Sequence, residues 1–144
     1  MYKPILFYVV LLFSGTAIGQ APERAAEAGN PNGKVYFMRS TGFTGSAQGF
    51  TVFIDDVVVC KLNNKRYSVH EVAPGLHHFS VQFAGKKSKE KAERIEINIE
   101  PDKSYYIQLI FQPGFVKNNL YCQEVTENSA KPILITLSED GKCN

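Results

Sequence analysis

The sequence predicts an all-β fold: a single antiparallel β-sandwich of immunoglobulin or prealbumin type, with about seven or eight strands and a short C-terminal helix. Short runs of β-branched and aromatic residues recur between residues 34 and 126, and turn residues separate them. In residues 94–100, three isoleucines alternate with polar side chains. Strict alternation is typical of a strand with one buried and one solvated face.

The predicted strands are short and closely spaced. They cover residues 34–39, 50–54, 57–62, 67–72, 76–83, 94–100, 105–111 and 120–126. Asp55 and Asp56 form a tight hairpin connection. The apolar faces of successive strands predict a core made of Val35, Phe37, Val52, Ile54, Phe79, Val81, Ile95, Ile97, Ile107 and Leu109.

The first 19 residues predict a cleavable secretory signal peptide. Lys3 precedes the apolar residues 4–13, and Ala17 and Gly19 occupy the small-x-small positions of a cleavage site. An uncleaved anchor is the alternative, but spanning a bilayer takes roughly 20 apolar residues, and the last third of this segment is small and polar. We therefore expect a mature chain that starts at Gln20, is secreted or periplasmic, and has no stable membrane insertion. The first cysteine is Cys60, so no lipid-attachment cysteine follows the signal.

Size and charge restrict the function only in part. Residues 20–33 predict a flexible linker, and residues 34–144 predict one domain, long enough to bury a core. The 16 Lys and Arg stand against 14 Asp and Glu, without the focused basic excess of a nucleic-acid-binding protein, so we expect no nucleic-acid partner. Residues 84–93 hold four lysines interleaved with two glutamates, which favours a solvated hairpin tip over a loop that binds an acidic partner.

No residue pattern predicts a catalytic, cofactor-binding or metal site. His77 and His78 are neighbours on one strand and must point to opposite faces, and neither they nor His70 has the short ligand spacing of a zinc site. Cys60 lies in an apolar strand, whereas a catalytic thiol needs an activating histidine. The two turn aspartates have a backbone role. We therefore expect a protein without enzymatic activity or cofactor.

Several short motifs resemble a known family. They are KVYFMR at residues 34–39, GSA at 45–47, FTVFID at 50–55, and VAPG at 72–75 followed by His77. Together they are similar to the bacterial envelope family catalogued as domain of unknown function 2846, whose members are often lipoproteins. The hairpin also resembles that of PEGA-type surface domains. Gly is usual at the position of Asp56 in that pattern, so the resemblance implies that Asp56 accepts a left-handed backbone. The resemblance spans roughly residues 34–137; it implies a small exported β-sandwich with no established enzymatic role, and a helix after the last strand.

Two loops carry aromatic residues that could bind a partner. Phe43 lies in residues 40–46, and Phe115 lies in the loop that follows residue 111. Our preferred interpretation is that both rings fold back as plugs over the open end of the sandwich, and binding is the second interpretation. The function expected from these features is an exported, non-catalytic envelope module for protein interaction or structure, whose partner is an envelope protein or a ligand. A periplasmic carrier of small apolar ligands is the alternative, and an enzyme is third.

Export favours disulfides, and the three cysteines allow one bond. We predict a bond between Cys122 and Cys143, with Cys60 left as a buried thiol. A helix from residue 130 to about 138, capped by Ser129 and with Pro132 in its first turn, would return antiparallel to the last strand and bring Cys143 back beside Cys122. The alternative is a strand at residues 133–137, which would carry Cys143 too far to form this bond.

Overall fold

Two β-sheets and one helix make up the described part of the chain. The structure is a computed structural model that describes residues 31–43, 45–84 and 93–143. The predicted signal peptide, the linker up to residue 30 and the lysine-rich residues 85–92 lie outside the described residues. The elements are β1 (Gly33–Arg39), β2 (Phe50–Ile54), β3 (Val57–Leu62), β4 (Arg66–Val72), β5 (Gly75–Gln82), β6 (Arg94–Ile99), β7 (Ser104–Gln112), β8 (Asn119–Val125), α1 (Glu127–Leu134) and β9 (Ser138–Glu139).

The sheets have the orders β8-β7-β1-β4-β9 and β3-β2-β5-β6. The predicted all-β class is confirmed, and so are eight predicted strands, each with ends within one residue of the observed ones. The prediction of antiparallel pairing throughout is wrong. The four-stranded sheet is antiparallel, but β1 pairs in parallel with β7, and β4 pairs in parallel with β9. Neither parallel pair is joined by a hairpin, so no tight turn imposes an antiparallel direction on it.

One apolar core lies between the sheets, because both contribute side chains to the same buried cluster. Eight of the ten predicted core residues are buried there. Ile54 and Ile95 are half-buried and pack against the cluster from its margin. The alternation of apolar residues therefore identifies the inward face correctly on the five strands that carry these residues, β1, β2, β5, β6 and β7. The predicted left-handed backbone at Asp56 is also confirmed, since φ is 50° at Asp55 and 64° at Asp56.

Strand direction gives the domain two distinct ends. β1 and β7 run in parallel toward the same end, and β7 continues past their last pair, Met38 with Gln108. The pairing of Arg66 with Arg39 shows that β4 starts at this end. We call this end, where residues 40–49, 63–65 and 113–118 connect strands, the loop end. The other end is the hairpin end, where residues 55–56, 73–74 and 100–103 connect strands. Val72 pairs with Gly33, the first residue of β1, which places the turn at 73–74 at the hairpin end.

The predicted C-terminal helix exists but begins earlier than expected. Thr126, not Ser129, is the N-cap, and its side chain accepts a hydrogen bond from the Ser129 N–H. Pro132 therefore lies inside the helix and not in its first turn. Ala130 packs with Met38 and Tyr106 in a second small cluster on the outer face of the five-stranded sheet. This apolar contact positions the helix across the sheet.

The predicted Cys122–Cys143 disulfide is wrong, because Cys143 is bonded to Cys60. The two Cα atoms are 4.9 Å apart. After α1 the chain adds β9 beside β4, at the edge of the sheet opposite β8, and this carries Cys143 away from Cys122. Cys122 is instead a buried free cysteine. Burial raises the pKa of its thiol to about 12, so this group stays protonated at neutral pH.

Candidate functional site

Three aromatic rings close the core at the loop end. Phe50, Phe83 and Phe111 come from β2, the chain just after β5, and β7, respectively. Their ring centroids are 5.6 Å apart for Phe50 and Phe83, 5.7 Å for Phe83 and Phe111, and 6.0 Å for Phe50 and Phe111. Edge-to-face and tilted pairs at this spacing are favourable arrangements of aromatic side chains. We call these rings the aromatic triad.

A buried arginine connects this triad to the first loop. The guanidinium carbon of Arg39 lies 3.4 Å from the centroid of the Phe50 ring, within the range of a cation–π contact. Its Nη1 donates to the Leu62 carbonyl at 2.7 Å, and its Nη2 donates to the Gly45 carbonyl at 2.8 Å. Burial lowers the pKa of Arg39 to about 10, which still leaves it charged at neutral pH. The Arg39 guanidinium therefore contacts both the Gly45 backbone carbonyl in the loop and the Phe50 ring in the core.

Residues 40–49 form the Phe43 loop, whose base is held at two more points. The Asn64 Oδ1 accepts hydrogen bonds from the Thr41 N–H and hydroxyl, both at 3.0 Å. Gly45 has a φ of 79°, and a Cβ there would lie 3.3 Å from the Phe111 ring. A glycine is needed because the backbone is left-handed and lies close against the triad. Residue 44 lies outside the described residues.

Residues 113–118 form the second loop, the Phe115 loop. The Gly114 N–H donates to the Asn118 Oδ1 at 3.2 Å, which closes the loop across its base. A Cβ at Gly114 would clash with the Lys117 carbonyl oxygen, so the turn needs glycine for space. The tight base leaves Phe115 and Val116 at the tip.

The tips of both loops are apolar and open to solvent. Phe43 is 95% exposed, Phe115 109% and Val116 99%. Our preferred interpretation of these rings as plugs is therefore wrong. The aromatic triad closes the core in their place, which leaves Phe43 and Phe115 free to point outward. The alternation of apolar residues already places Phe83 and Phe111 on inward faces, and Arg39 has the same parity as Val35 and Phe37, so the sequence carried this signal.

The histidines lie elsewhere and form structural contacts. At the hairpin end the Asp55 Oδ2 lies 2.6 Å from the His77 Nδ1, and the His77 Nε2 lies 2.9 Å from the Ala73 carbonyl. Burial raises the pKa of Asp55, but hydrogen bonds from the His78 N–H and from His77, together with the histidine charges, outweigh it and lower the pKa overall. These contacts join the β2–β3 hairpin to the turn at residues 73–74.

His70 faces the core, where its ring contacts Phe37 edge-on. Its Nε2 lies 3.1 Å from the Ser68 hydroxyl, and burial lowers the pKa of His70. Ser68 is completely buried, so a substrate could not reach this serine–histidine pair without opening the core. Among residues 31–43, 45–84 and 93–143, no three His, Cys, Asp or Glu side chains converge as metal ligands would. In the same ranges, no helix is long and apolar enough to cross a bilayer.

The fold and its surface thus define an all-β domain whose most exposed apolar groups are carried by two anchored loops. The chain belongs to the family described as "Protein of unknown function (DUF2846)", whose model matches residues 29–120, more than half of the chain. The resemblance inferred from residues 34–75 is therefore confirmed. The match covers β1 to β7 and ends before α1 and Cys143. No curated protein matches the sequence.

Proposed function

We propose that this chain is an exported, non-catalytic module of the bacterial envelope that binds a partner through its loop end. The observation that carries the proposal is the exposure of Phe43, Phe115 and Val116 on two loops whose bases are held in place. Exposed apolar side chains gain nothing from folding, whereas burial against a partner stabilises each by about 1.5–3 kcal/mol. An anchored base reduces the entropy lost when such a loop binds.

Our proposal also includes the type of β-sandwich. We assign the domain to the β-sandwiches of immunoglobulin or prealbumin type, in which binding loops cluster at one end of two packed sheets. The shared core and the clustering of the Phe43 and Phe115 loops at one end support this assignment.

The packing beneath the loops favours surface binding over the carriage of a small apolar ligand. A carrier needs an internal cavity or a space under the loops. Here the aromatic triad and Arg39 occupy the position directly under the Phe43 loop. Binding by the loop tips requires no rearrangement of these side chains.

Site-specific photocrosslinking in intact cells tests the proposal. A photoreactive phenylalanine analogue is placed at Phe43 or at Phe115, and at Leu76 as the matched control. Leu76 is also apolar and 61% exposed, but it lies at the hairpin end. We expect crosslinked partners, protein or lipid, from the two loop positions and few from Leu76. Equal yields from all three positions would contradict a binding surface at the loop end.

Export has its own test. If residues 1–19 are a cleaved signal, N-terminal sequencing of protein from an envelope fraction starts at Gln20. Recovery of the intact Met1 terminus in the membrane pellet would show instead that this segment is an anchor.

A further inference from the structure

We propose that the partner of the loop end is an anionic lipid surface, into whose interfacial region Phe43, Phe115 and Val116 dip reversibly. This inference rests on the proposed function and names the class of its partner. It concerns peripheral contact by loop tips, which differs from the spanning of a bilayer by a helix.

The geometry allows both loops to enter one surface together. The Phe43 loop follows β1 and the Phe115 loop follows β7, and these strands are parallel neighbours in one sheet. Both loops therefore leave the same end of the sheet in the same direction, the Phe115 loop from a strand that extends past the end of β1. The tip side chains are almost fully exposed, and a lipid interface accepts exposed apolar groups without a matching groove.

The remaining residues of the two loops suit a headgroup environment. Residues 40–49 are STGFTGSAQG and residues 113–118 are PGFVKN. Apart from the apolar tips they are mostly small or uncharged polar residues, which hydrogen-bond to water and headgroups at low cost. Neither loop contains a carboxylate, and Lys117 directly follows the apolar tip. Anionic lipids attract a cation placed this close to the surface.

The charge of the connections also differs between the two ends. At the loop end, residues 40–49, 63–65 and 113–118 contain two lysines and no acidic residue, while Glu93 precedes β6 and the Asp140 carboxylate accepts from Asn63 at the same end. At the hairpin end, residues 55–56, 73–74 and 100–103 contain four acidic residues and one lysine. An anionic surface therefore repels the hairpin end more strongly than the loop end, which favours the orientation with the apolar tips toward the lipid.

A protein partner fits these observations less well. A specific protein interface buries about 800 Å² on each side and combines an apolar centre with a hydrogen-bonding rim. The loop tips offer only three large exposed apolar side chains, carried by two different loops. Shallow insertion into lipid needs only the apolar side chains and a favourable charge.

The absence of tryptophan from the chain makes a direct test possible. The variants F43W, F115W and L76W each introduce one tryptophan, at one of the two loop tips or at the hairpin end. All are made in the full chain, so any lipid affinity of residues 4–13 is common to them. Each is mixed with vesicles of phosphatidylethanolamine and phosphatidylglycerol, with or without bromine on the acyl chains, and with vesicles of phosphatidylcholine alone.

We expect the tryptophan emission of F43W and F115W to move to shorter wavelength and to be quenched by the brominated chains, more strongly with phosphatidylglycerol present. The emission of L76W should change little. Phe43→Ser and Phe115→Ser should each weaken vesicle binding by about tenfold, as expected for the loss of one inserted ring. Leu76→Ser should leave binding unchanged, and matching melting curves would show that every variant is folded.

Two results would overturn the inference: unquenched tryptophan at both loop tips, or equal quenching at Leu76. If crosslinks in cells still join Phe43 and Phe115 to a protein, the lipid assignment fails and the proposed binding surface stands. If neither vesicles nor cellular crosslinks distinguish the loop end from Leu76, both proposals fail.

Discussion

The loop end and the hairpin end are formed by the same strands, yet their side chains make different kinds of contact. At the hairpin end, polar groups find partners within the domain: Asp55 contacts His77, and Asp56 forms an ion pair with Arg94 at 2.9 Å. At the loop end, polar groups hold the loop bases, and the apolar tips find no cover in the described structure. Val57 and Leu76 are also exposed at the hairpin end, but the three most exposed large apolar side chains of the described residues all lie at the loop end.

The largest expected effect is a difference in the free energy of unfolding between a substitution in the aromatic triad and one at the tip of the Phe43 loop. Phe50→Ala removes a fully buried ring from the triad and from the Arg39 guanidinium, so we expect a loss of about 3–5 kcal/mol in the free energy of unfolding. Phe43→Ala removes an exposed ring and should change it by less than about 0.5 kcal/mol. Urea unfolding measures both. Similar losses for the two variants would mean that Phe43 is packed after all.

The next effect concerns the disulfide. Cys143→Ser opens the bond to Cys60, which spans 83 residues, and we expect a loss of about 2–4 kcal/mol. A reducing agent should lower the stability of the wild-type chain to a similar level and leave the variant unchanged. Non-reducing peptide mapping provides the direct check, since a peptide pair that links Cys122 to Cys143 would contradict the assignment.

A smaller, pH-dependent effect belongs to Cys122. Its pKa is raised to about 12 in the folded state, while an unfolded thiol loses its proton near pH 8.5–9. Stability is therefore unaffected below that pH and falls as the pH rises toward 12, by about 1–2 kcal/mol at pH 10. Comparison of the wild type with Cys122→Ala isolates this slope. Iodoacetamide should modify Cys122 in urea and not in the native protein; rapid native modification would show that the thiol is accessible.

The smallest effect lies at the hairpin end. Because the folded pKa of Asp55 is lowered, its contribution to stability is present above about pH 4 and is lost as the pH falls through the folded pKa. The Asp55 side chain is 47% exposed, so solvent screening keeps the contribution below about 1 kcal/mol. Asp55→Asn should reduce the decrease in the free energy of unfolding that accompanies a fall in pH below about 4. Asp102→Asn, in another turn with positive φ, is the matched control and should leave that decrease unchanged.

The strands could be predicted because their signal is local. Alternation such as that of residues 94–100 specifies both a strand and its inward face, without knowledge of its partners. The parallel pairing of β1 with β7 and the addition of β9 to β4 depend on contacts distant in sequence, so local patterns do not contain them. The disulfide prediction failed for the same reason. We predicted that the C-terminal segment returns beside β8. The helix instead begins three residues earlier than predicted, and the two-residue strand β9 then places Cys143 beside Cys60.

Phe43 and Phe115 lie in loops as predicted, but their rings are exposed, whereas our preferred interpretation had them folded inward as plugs. The sequence shows that Phe43 and Phe115 lie in loops, and turn residues near both support that placement. Whether such rings fold inward depends on what already fills the end of the core. Phe50, Phe83 and Phe111 fill it here, with Arg39 against one of them. Each lies on the inward parity of its own strand, but only the assembled sheets show that the three meet.

The contact of Arg39 with both Phe50 and Gly45 makes the loop and the core thermodynamically linked. In the anchored conformation of the Phe43 loop, the Gly45 carbonyl accepts a hydrogen bond from Arg39, and the Arg39 guanidinium covers the Phe50 ring. A partner that binds this conformation therefore favours both contacts. Binding at the tip therefore raises the melting temperature of the whole domain, as any ligand that prefers the native state does. Linkage is reciprocal, so a substitution that loosens the packing around Phe50 weakens binding at Phe43 without touching the partner.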